Sequence, residues 1–373
     1  MDLILDFLAI PLVQALIKIV LIVLVFVMLT GTVLTLMERK WMSAVQDRLG
    51  PNRAYMPWFG NKRFTFHGLF QLAADGLKSI FKEDTTPEGG DLFIFTIAPF
   101  FSFFSAMVVW AVIPFAAPVG RFTFQITDPN IGLLLVFAVT SLGVYGAVLA
   151  GWSSNNKYAI LGAARGTSQM LSYEIFLGLS LVGVFMIAGS VQVSQIVDFQ
   201  GQYWFGDLIP KWGVFTQPLG FLLFFTAMLA ELKRMPFDAP EGESEIIAGY
   251  FIEYSGMRWS GFMLAEYLGA VGTAALTVTL FFGGYHVPWL HADGFRLFGA
   301  LLPLPAAVVV LLQIGAFVTK VIFFCWLIII LRWTVPRFRF DQIMDLGWKK
   351  LLPLSLANLV VTGLVLLAVD AWR

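Results

Sequence analysis

Charge is what this sequence most lacks: 13% of its 373 residues are Asp, Glu, Lys or Arg, while 58% are hydrophobic. Soluble globular domains carry about 25% charged residues, so a surface built from this chain could not be kept in water. Cysteine is nearly absent as well. Cys325 stands alone in the apolar run FFCWLII, which excludes an internal disulfide and a thiolate cluster for an iron–sulfur centre. Of three histidines, His286 and His291 lie five apart in a short loop and His67 lies far away, which is too little for a metal centre. No GxGxxG and no P-loop pattern occurs, so neither a dinucleotide nor a nucleoside triphosphate has a cradle. If the protein takes part in redox chemistry, its electrons come from cofactors on other chains. A net charge of zero leaves no nucleic-acid footprint. The N-terminal MDLILDFLAIPL carries acids where a secretory signal is basic, so the first apolar run is expected to stay as a span.

What is present is a series of long apolar runs, at 12–37, 92–116, 131–151, 171–190, 214–232, 262–284, 303–331 and 351–370. Each reaches the roughly 20 residues that a helix needs to cross a bilayer, and none shows the period-two alternation of a barrel strand. The expected fold is all-α, a polytopic bundle of about eight transmembrane helices in a single membrane domain, 1–373. Lys and Arg gather in the connections after the first, third, fifth and seventh runs. That bias places those connections in the cytoplasm or matrix and both termini outside, in the periplasm or intermembrane space; the expected setting is a bacterial inner membrane with both termini periplasmic. The connections are a long loop at 38–91, an acidic loop at 233–261 and a basic loop at 332–350. In the first, FHGLFQLAADGLKSIFK puts Phe66, Leu69, Phe70, Ala73, Leu77, Ile80 and Phe81 on one stripe, the pattern of an amphipathic helix in the interface plane.

Charges inside the apolar runs are costly and usually face a cavity or a partner. Lys18 is near enough to a run's end to snorkel. Lys320 lies about 11 residues, roughly 16 Å at helical rise, from the end of its run, so it calls for an acidic partner or a water-filled cavity. Glu174, Glu231 and Glu266 fall at similar depth in three runs and could form a hydrated proton relay once burial raises their pKa values. The stretch AELKRMPFDAPEGESEIIAGYFIEY crowds Glu231, Asp238, Glu241, Glu243, Glu245 and Glu253 against Lys233 and Arg234, which predicts coupled titrations.

Six segments carry a resemblance: ERKWMSAVQDRLGPNR, GLFQLAADGLKSIFKE, SYE, the acidic stretch above, LAEY and RWTVPRFRFDQIMDLGWKKLLPLS. In this order, over about residues 35–358, they resemble the motifs of the H-type membrane subunit of respiratory complex I, the proton-pumping NADH:quinone oxidoreductase. Its mitochondrial counterpart is NADH dehydrogenase subunit 1. The resemblance implies a subunit without a redox cofactor of its own, with quinone as substrate and with NADH, FMN and iron–sulfur clusters on partner subunits. Two peripheral-arm subunits, one bearing the terminal cluster, would complete the quinone chamber, and small and antiporter-like membrane subunits would adjoin it. By motif position Glu38, Arg39, Asp75, Lys78, Asp238, Arg332, Arg337, Arg339 and Asp341 would line or shape the chamber. Glu174, Glu231, Glu241, Glu243, Glu245, Glu253 and Glu266 would couple it to proton movement, and the buried Lys320 joins them on its depth. Residues 54–65 (AYMPWFGNKRFT) form a longer link than the family pattern. Two alternatives stay open: a related complex with a ferredoxin, deazaflavin or hydrogenase-linked donor, and a free-standing cation or proton transporter.

Overall fold

The computed structural model describes residues 11–55, 66–120, 122–204, 209–291, 293–297 and 300–371; the long link at 54–65 falls outside them from residue 56 on. Helix dominates because long apolar runs can satisfy their backbone polar groups in lipid only within the helix itself. Helix α1 starts at Pro11–Lys18, passes through a π-helical stretch Ile19–Val27 and continues as Met28–Val45. The amphipathic helix is α2 (Leu69–Phe81), whose Leu77, Ile80 and Phe81 are exposed on the chain. Helix α3 (Leu92–Val108) begins at an Asp91 cap that accepts from the Phe93 and Ile94 amides. The third expected span is two helices, α4 (Gly132–Thr140) and α5 (Gly143–Ser153), with a turn between. Helix α6 (Lys157–Ala188) is capped by Asn156 and closed by the left-handed Gly189. Helices α7 (Val193–Gln200), α8 (Pro218–Glu231), α9 (Gly256–Phe281) and α10 (Ala306–Thr334) follow. A short helix Phe340–Asp345 and a π-helical stretch Leu346–Leu351 then lead into α11 (Leu352–Ala371).

Among the described residues, seven helical stretches are long and apolar enough to cross a membrane. The fifth expected span, 214–232, is represented by α8, with 14 residues. A break at Gln217 and the ring of Pro218 set its start. Several helices overrun the apolar runs: α1 extends to Val45, α6 begins at Lys157 rather than 171, and α9 begins at Gly256. The expected loops 38–91, 233–261 and 332–350 are accordingly shorter, since α1, α9, α10 and the Phe340–Leu351 segment occupy part of each. Hydropathy marks the lipid-facing part of a helix, and capped polar turns extend beyond it.

Helix α9 is the most enclosed, packing on α1, α3 and α10, while α8 and α11 lie along α6. The core runs through Tyr173, Phe176 and Leu177 of α6, Phe224 of α8, Leu268 and Val271 of α9, and Phe317 and Ile328 of α10. Two small antiparallel sheets, Tyr203–Trp204 with Ile209–Pro210 and Leu290–His291 with Gly294–Leu297 and Ala300–Pro303, lie in the loops at the end away from the acidic loop.

Candidate functional site

Four ionised side chains from four segments meet inside the bundle. Glu38 comes from α1, Arg234 from the turn after α8, Glu266 from α9 and Arg332 from the end of α10. Arg234 Nη1 lies 3.2 Å from Glu38 Oε2, and Arg234 Nε lies 2.9 Å from Glu266 Oε1. Arg332 Nη1 lies 2.6 Å from Glu38 Oε1 and 3.6 Å from Glu266 Oε1. The two cations and two anions alternate and cancel. The Arg234 side chain is 0% exposed and that of Glu38 5%, so each depends on the other for its charge. Burial opposes the Arg234 charge, but Glu266 and Glu38 outweigh it and hold the guanidinium above its ordinary range. The Tyr267 ring covers Arg234 at 4.6 Å.

Beside this quartet is a cavity of about 100 Å³, enough for on the order of three or more waters. Glu231, Glu241 and Glu266 line it with Lys233, Tyr250 and the hydroxyl residues Ser102, Ser105, Thr140 and Thr273. Burial raises the Glu241 carboxyl well above the usual carboxylate range, and the negative Glu266 and Asp238 raise it further against Lys233 and Arg332. Burial lowers the Lys233 ammonium, with Glu241 and Glu266 opposing. Lys233 Nζ donates to Tyr250 Oη at 3.1 Å. A carboxyl raised in this way, beside hydroxyls and a cavity of this size, can hold a proton and exchange it through water.

The three helix-borne acids share one level. From Glu174 to Ala188 is 14 residues, from Pro218 to Glu231 is 13, and from Glu266 to Phe281 is 15, about 20–22 Å at helical rise. Glu174 stands within electrostatic reach of Glu231. Each acid thus lies a similar distance from the far end of its own helix, and Glu231 and Glu266 meet at the cavity.

The acidic loop is wound tightly against α6. Gln169 donates to the carbonyls of Ala230 and Phe237, each at 2.7 Å, tying the end of α8 to the loop. A Cβ on Gly162 would lie 2.6 Å from Gly249 Cα, and one on Gly249 (φ +63°) would lie 1.9 Å from the Pro240 carbonyl oxygen. Only glycines allow this approach. The basic segment closes the loop from the other side: the Phe338 amide donates to Pro236 O at 3.1 Å, and the Arg337 guanidinium reaches Gly242. Tyr173 Oη donates to Ile343 O at 2.8 Å.

Other expected site residues lie apart. Glu245 pairs with Arg165 at the surface, and Glu253 accepts from Asn156 Nδ2 at 2.6 Å; neither lines the cavity. Glu243 opens the helical turn Glu243–Ile246, and its side chain lies outside the described residues. Arg339 pairs with Asp341 at 2.9 Å on the surface. Lys320 departs most from expectation. Among the described residues its ammonium pairs with no acid and donates instead to the carbonyls of Phe282 (2.8 Å), Gly284 (3.1 Å) and His286 (2.7 Å), with the Trp212 ring at 4.6 Å. Three carbonyls just past α9 solvate the charge as an acid would. Lys320 lies 12 residues before Arg332 on α10, about 18 Å along the helix, and so points to the opposite end from the quartet.

Arg39 and Asp75 meet at 2.6 Å where α1 passes α2. With Lys78, Lys82, Tyr254 and Trp259 they line a recess of about 330 Å³, and Arg39 also lines a larger one of about 1,190 Å³ with Arg48, Arg53, Tyr55 and Gln71. Glu38 is one residue from Arg39, so the recesses and the quartet are neighbours along α1. Arg234 and Lys233 entered the expectation only as countercharges to the acids, and Tyr250 and Gln169 were absent from it. The signal available for the first two was the LKR run set among acids. Among the described residues no group of three His, Cys, Asp or Glu is placed to hold a metal.

The chain matches the family described as NADH dehydrogenase over residues 17–363. Three relatives are each named as the H-type subunit of NADH-quinone oxidoreductase. To the first such subunit of Geobacter sulfurreducens the chain is 41% identical over 361 residues, covering 93% of each chain. To the second such subunit of Geobacter metallireducens it is 40% identical, covering 93% of this chain and 94% of that one. To the first such subunit of Cytophaga hutchinsonii it is 39% identical over 337 residues, covering 89% and 91%.

Proposed function

The chain belongs to the NADH dehydrogenase family, and from that premise we propose that it is the complex I membrane subunit in which a change of charge on quinone reduction becomes proton movement. The relatives are named as NADH-quinone oxidoreductase subunits, which favours this reading over a complex with another donor or a free-standing transporter. Other subunits of the complex are its partners. Two peripheral-arm subunits would complete the chamber with the recesses around Arg39, Asp75 and Lys78, and antiporter-like subunits would receive the coupling along the membrane. The inner membrane, with both termini periplasmic, is the expected setting.

The carrying observation is the shared wall between quartet and cavity. Glu266 belongs to both, and Glu38 ties the quartet to the helix that carries Arg39 toward the recesses. An anionic species formed on quinone near Arg39 would draw on the balance among Arg332, Glu38 and Arg234. Glu266 and Glu241 would then take up or release a proton through the cavity water, and Glu231 and Glu174 would pass it across α8 and α6. Asp238 acts on Glu241 by charge. Arg337, at Gly242, and the pair Arg339–Asp341 shape the loop that covers the site. Glu243, Glu245 and Glu253 lie along the same loop and belong to the proposed coupling region, with Glu245 and Glu253 on its outer side.

The test is Glu231→Gln in membranes containing the assembled complex, with quinone reduction and proton pumping measured together. A loss of at least tenfold in coupled turnover is expected. Unchanged rates with full pumping would remove the cavity from the mechanism.

A further inference from the structure

Lys233 lies two residues beyond α8, with a left-handed backbone (φ +57°) that long side chains seldom adopt. This twist sends two consecutive basic side chains to different places. Arg234 enters the ion quartet, while Lys233 enters the cavity, where its ammonium donates to Tyr250 Oη at 3.1 Å and lies 4.5 Å from the centre of that ring. The cavity wall presents Glu231 from α8, Glu241 from the loop and Glu266 from α9, while α3 and α4 offer Ser102, Ser105 and Thr140. Arg234, Asp238 and Arg332 complete the charged surroundings of the loop. The ammonium is thus set among three carboxylates and anchored by a phenol.

We propose that Lys233 is a positioning residue of the proton relay: anchored by Tyr250, its ammonium sets how readily Glu241 holds a proton. This rests on the relay reading above. Two states of the group are equal in charge. In one, an ammonium faces a carboxylate; in the other, the proton has moved from Nζ to the carboxylate and leaves an amine facing a carboxylic acid. Arrival of a proton from the quartet side converts either state to the doubly protonated one, which can release a proton toward Glu231. Burial lowers the Lys233 ammonium and raises the Glu241 carboxyl, and both directions narrow the gap between the two states.

The experiment uses the complete complex in its membrane, with quinone reduction and proton pumping measured against pH for Lys233→Met, Lys233→Arg and Tyr250→Phe. Removing the cation leaves the carboxylates holding protons to higher pH, so the limb of the profile that they set moves up by about one pH unit in Lys233→Met. Pumping per electron falls at least threefold. Lys233→Arg keeps the limb near its wild-type position because the cation remains, but does not restore pumping, because a guanidinium does not surrender its proton; Tyr250→Phe moves the limb in the same direction as Lys233→Met by less. An unchanged profile and pumping ratio in Lys233→Met overturns the proposal. If that variant does not assemble, an unchanged profile in Tyr250→Phe overturns it instead. Glu231→Gln and Glu266→Gln are run beside them. If these also pump normally, the relay reading falls; if they lose pumping while Lys233→Met does not change, the lysine's role alone falls.

Discussion

Replacing Arg234 with methionine would leave Glu38 and Glu266 with Arg332 as their remaining ion-pair partner and would turn a neutral group of four into one of net charge −1. The Arg234 side chain is fully enclosed, Glu38 is 5% exposed and Glu266 13%, so water cannot take over its role. Breaking one side of a buried ion pair costs about 3–5 kcal/mol, and each 1.4 kcal/mol is a factor of ten, so the folded fraction should fall by roughly two to four orders of magnitude. The assay is the amount of intact complex recovered by native electrophoresis after mild detergent extraction, with its midpoint of thermal disassembly. Most of the cost comes from the charge left unpaired, not from the pair's net worth. Arg234→Met combined with Glu266→Gln should therefore assemble far better than Arg234→Met alone, while staying uncoupled because the cavity has lost a carboxylate. Wild-type assembly of the single variant, or a double variant no better than the single, would refute the electrostatic account of the quartet.

Gly249→Ala should block assembly or abolish activity, because its Cβ would lie 1.9 Å from the Pro240 carbonyl oxygen in a left-handed turn; normal assembly would show that the loop can unwind from α6. Glu241 gives a pH signature. Its folded value lies above the usual 4.5, so its stabilising contribution is complete below about 4.5 and is lost as pH rises through the raised value. Glu241→Gln should flatten the pH dependence of thermal stability above about pH 4.5, and an unaltered slope would count against the burial argument. Lys320→Met leaves the carbonyls of Phe282, Gly284 and His286 without their donor, so it should lower the yield of complex several-fold while each assembled complex pumps normally. Lost pumping at full assembly would restore Lys320 to the proton path.

Much of this was legible in the residues, for identifiable reasons. Apolar runs with a few acids set inside them announce a bundle whose acids need a hydrated interior, and the common level of Glu174, Glu231 and Glu266 followed from counting along three runs. Where two helices approach, counting fails. It cannot show that Glu38, from a motif beside α2, crosses to Arg234 nearly two hundred positions later, because that meeting depends on how α1 packs against α9. Lys320 shows the converse. Depth along a helix suggested an acid partner, yet a side chain can reach past the end of a neighbouring helix and find carbonyls there. Lys233 and Arg234 are adjacent in sequence and have different surroundings because of one left-handed residue, which no periodicity reveals.

Helix α8 has 14 residues, a length of about 21 Å against a hydrocarbon thickness of about 30 Å. If its Pro218 end lies at one face, Glu231 sits about a third of the way into the membrane from the other. A proton arriving there has already traversed part of the transmembrane voltage. Crossing the full potential is worth about 2.3 kcal/mol per 100 mV, so occupancy of Glu231 is weighted by roughly 0.7 kcal/mol at that voltage. A span shorter than the bilayer thus leaves its last residue inside the field, and an energised membrane would bias how readily that carboxylate fills.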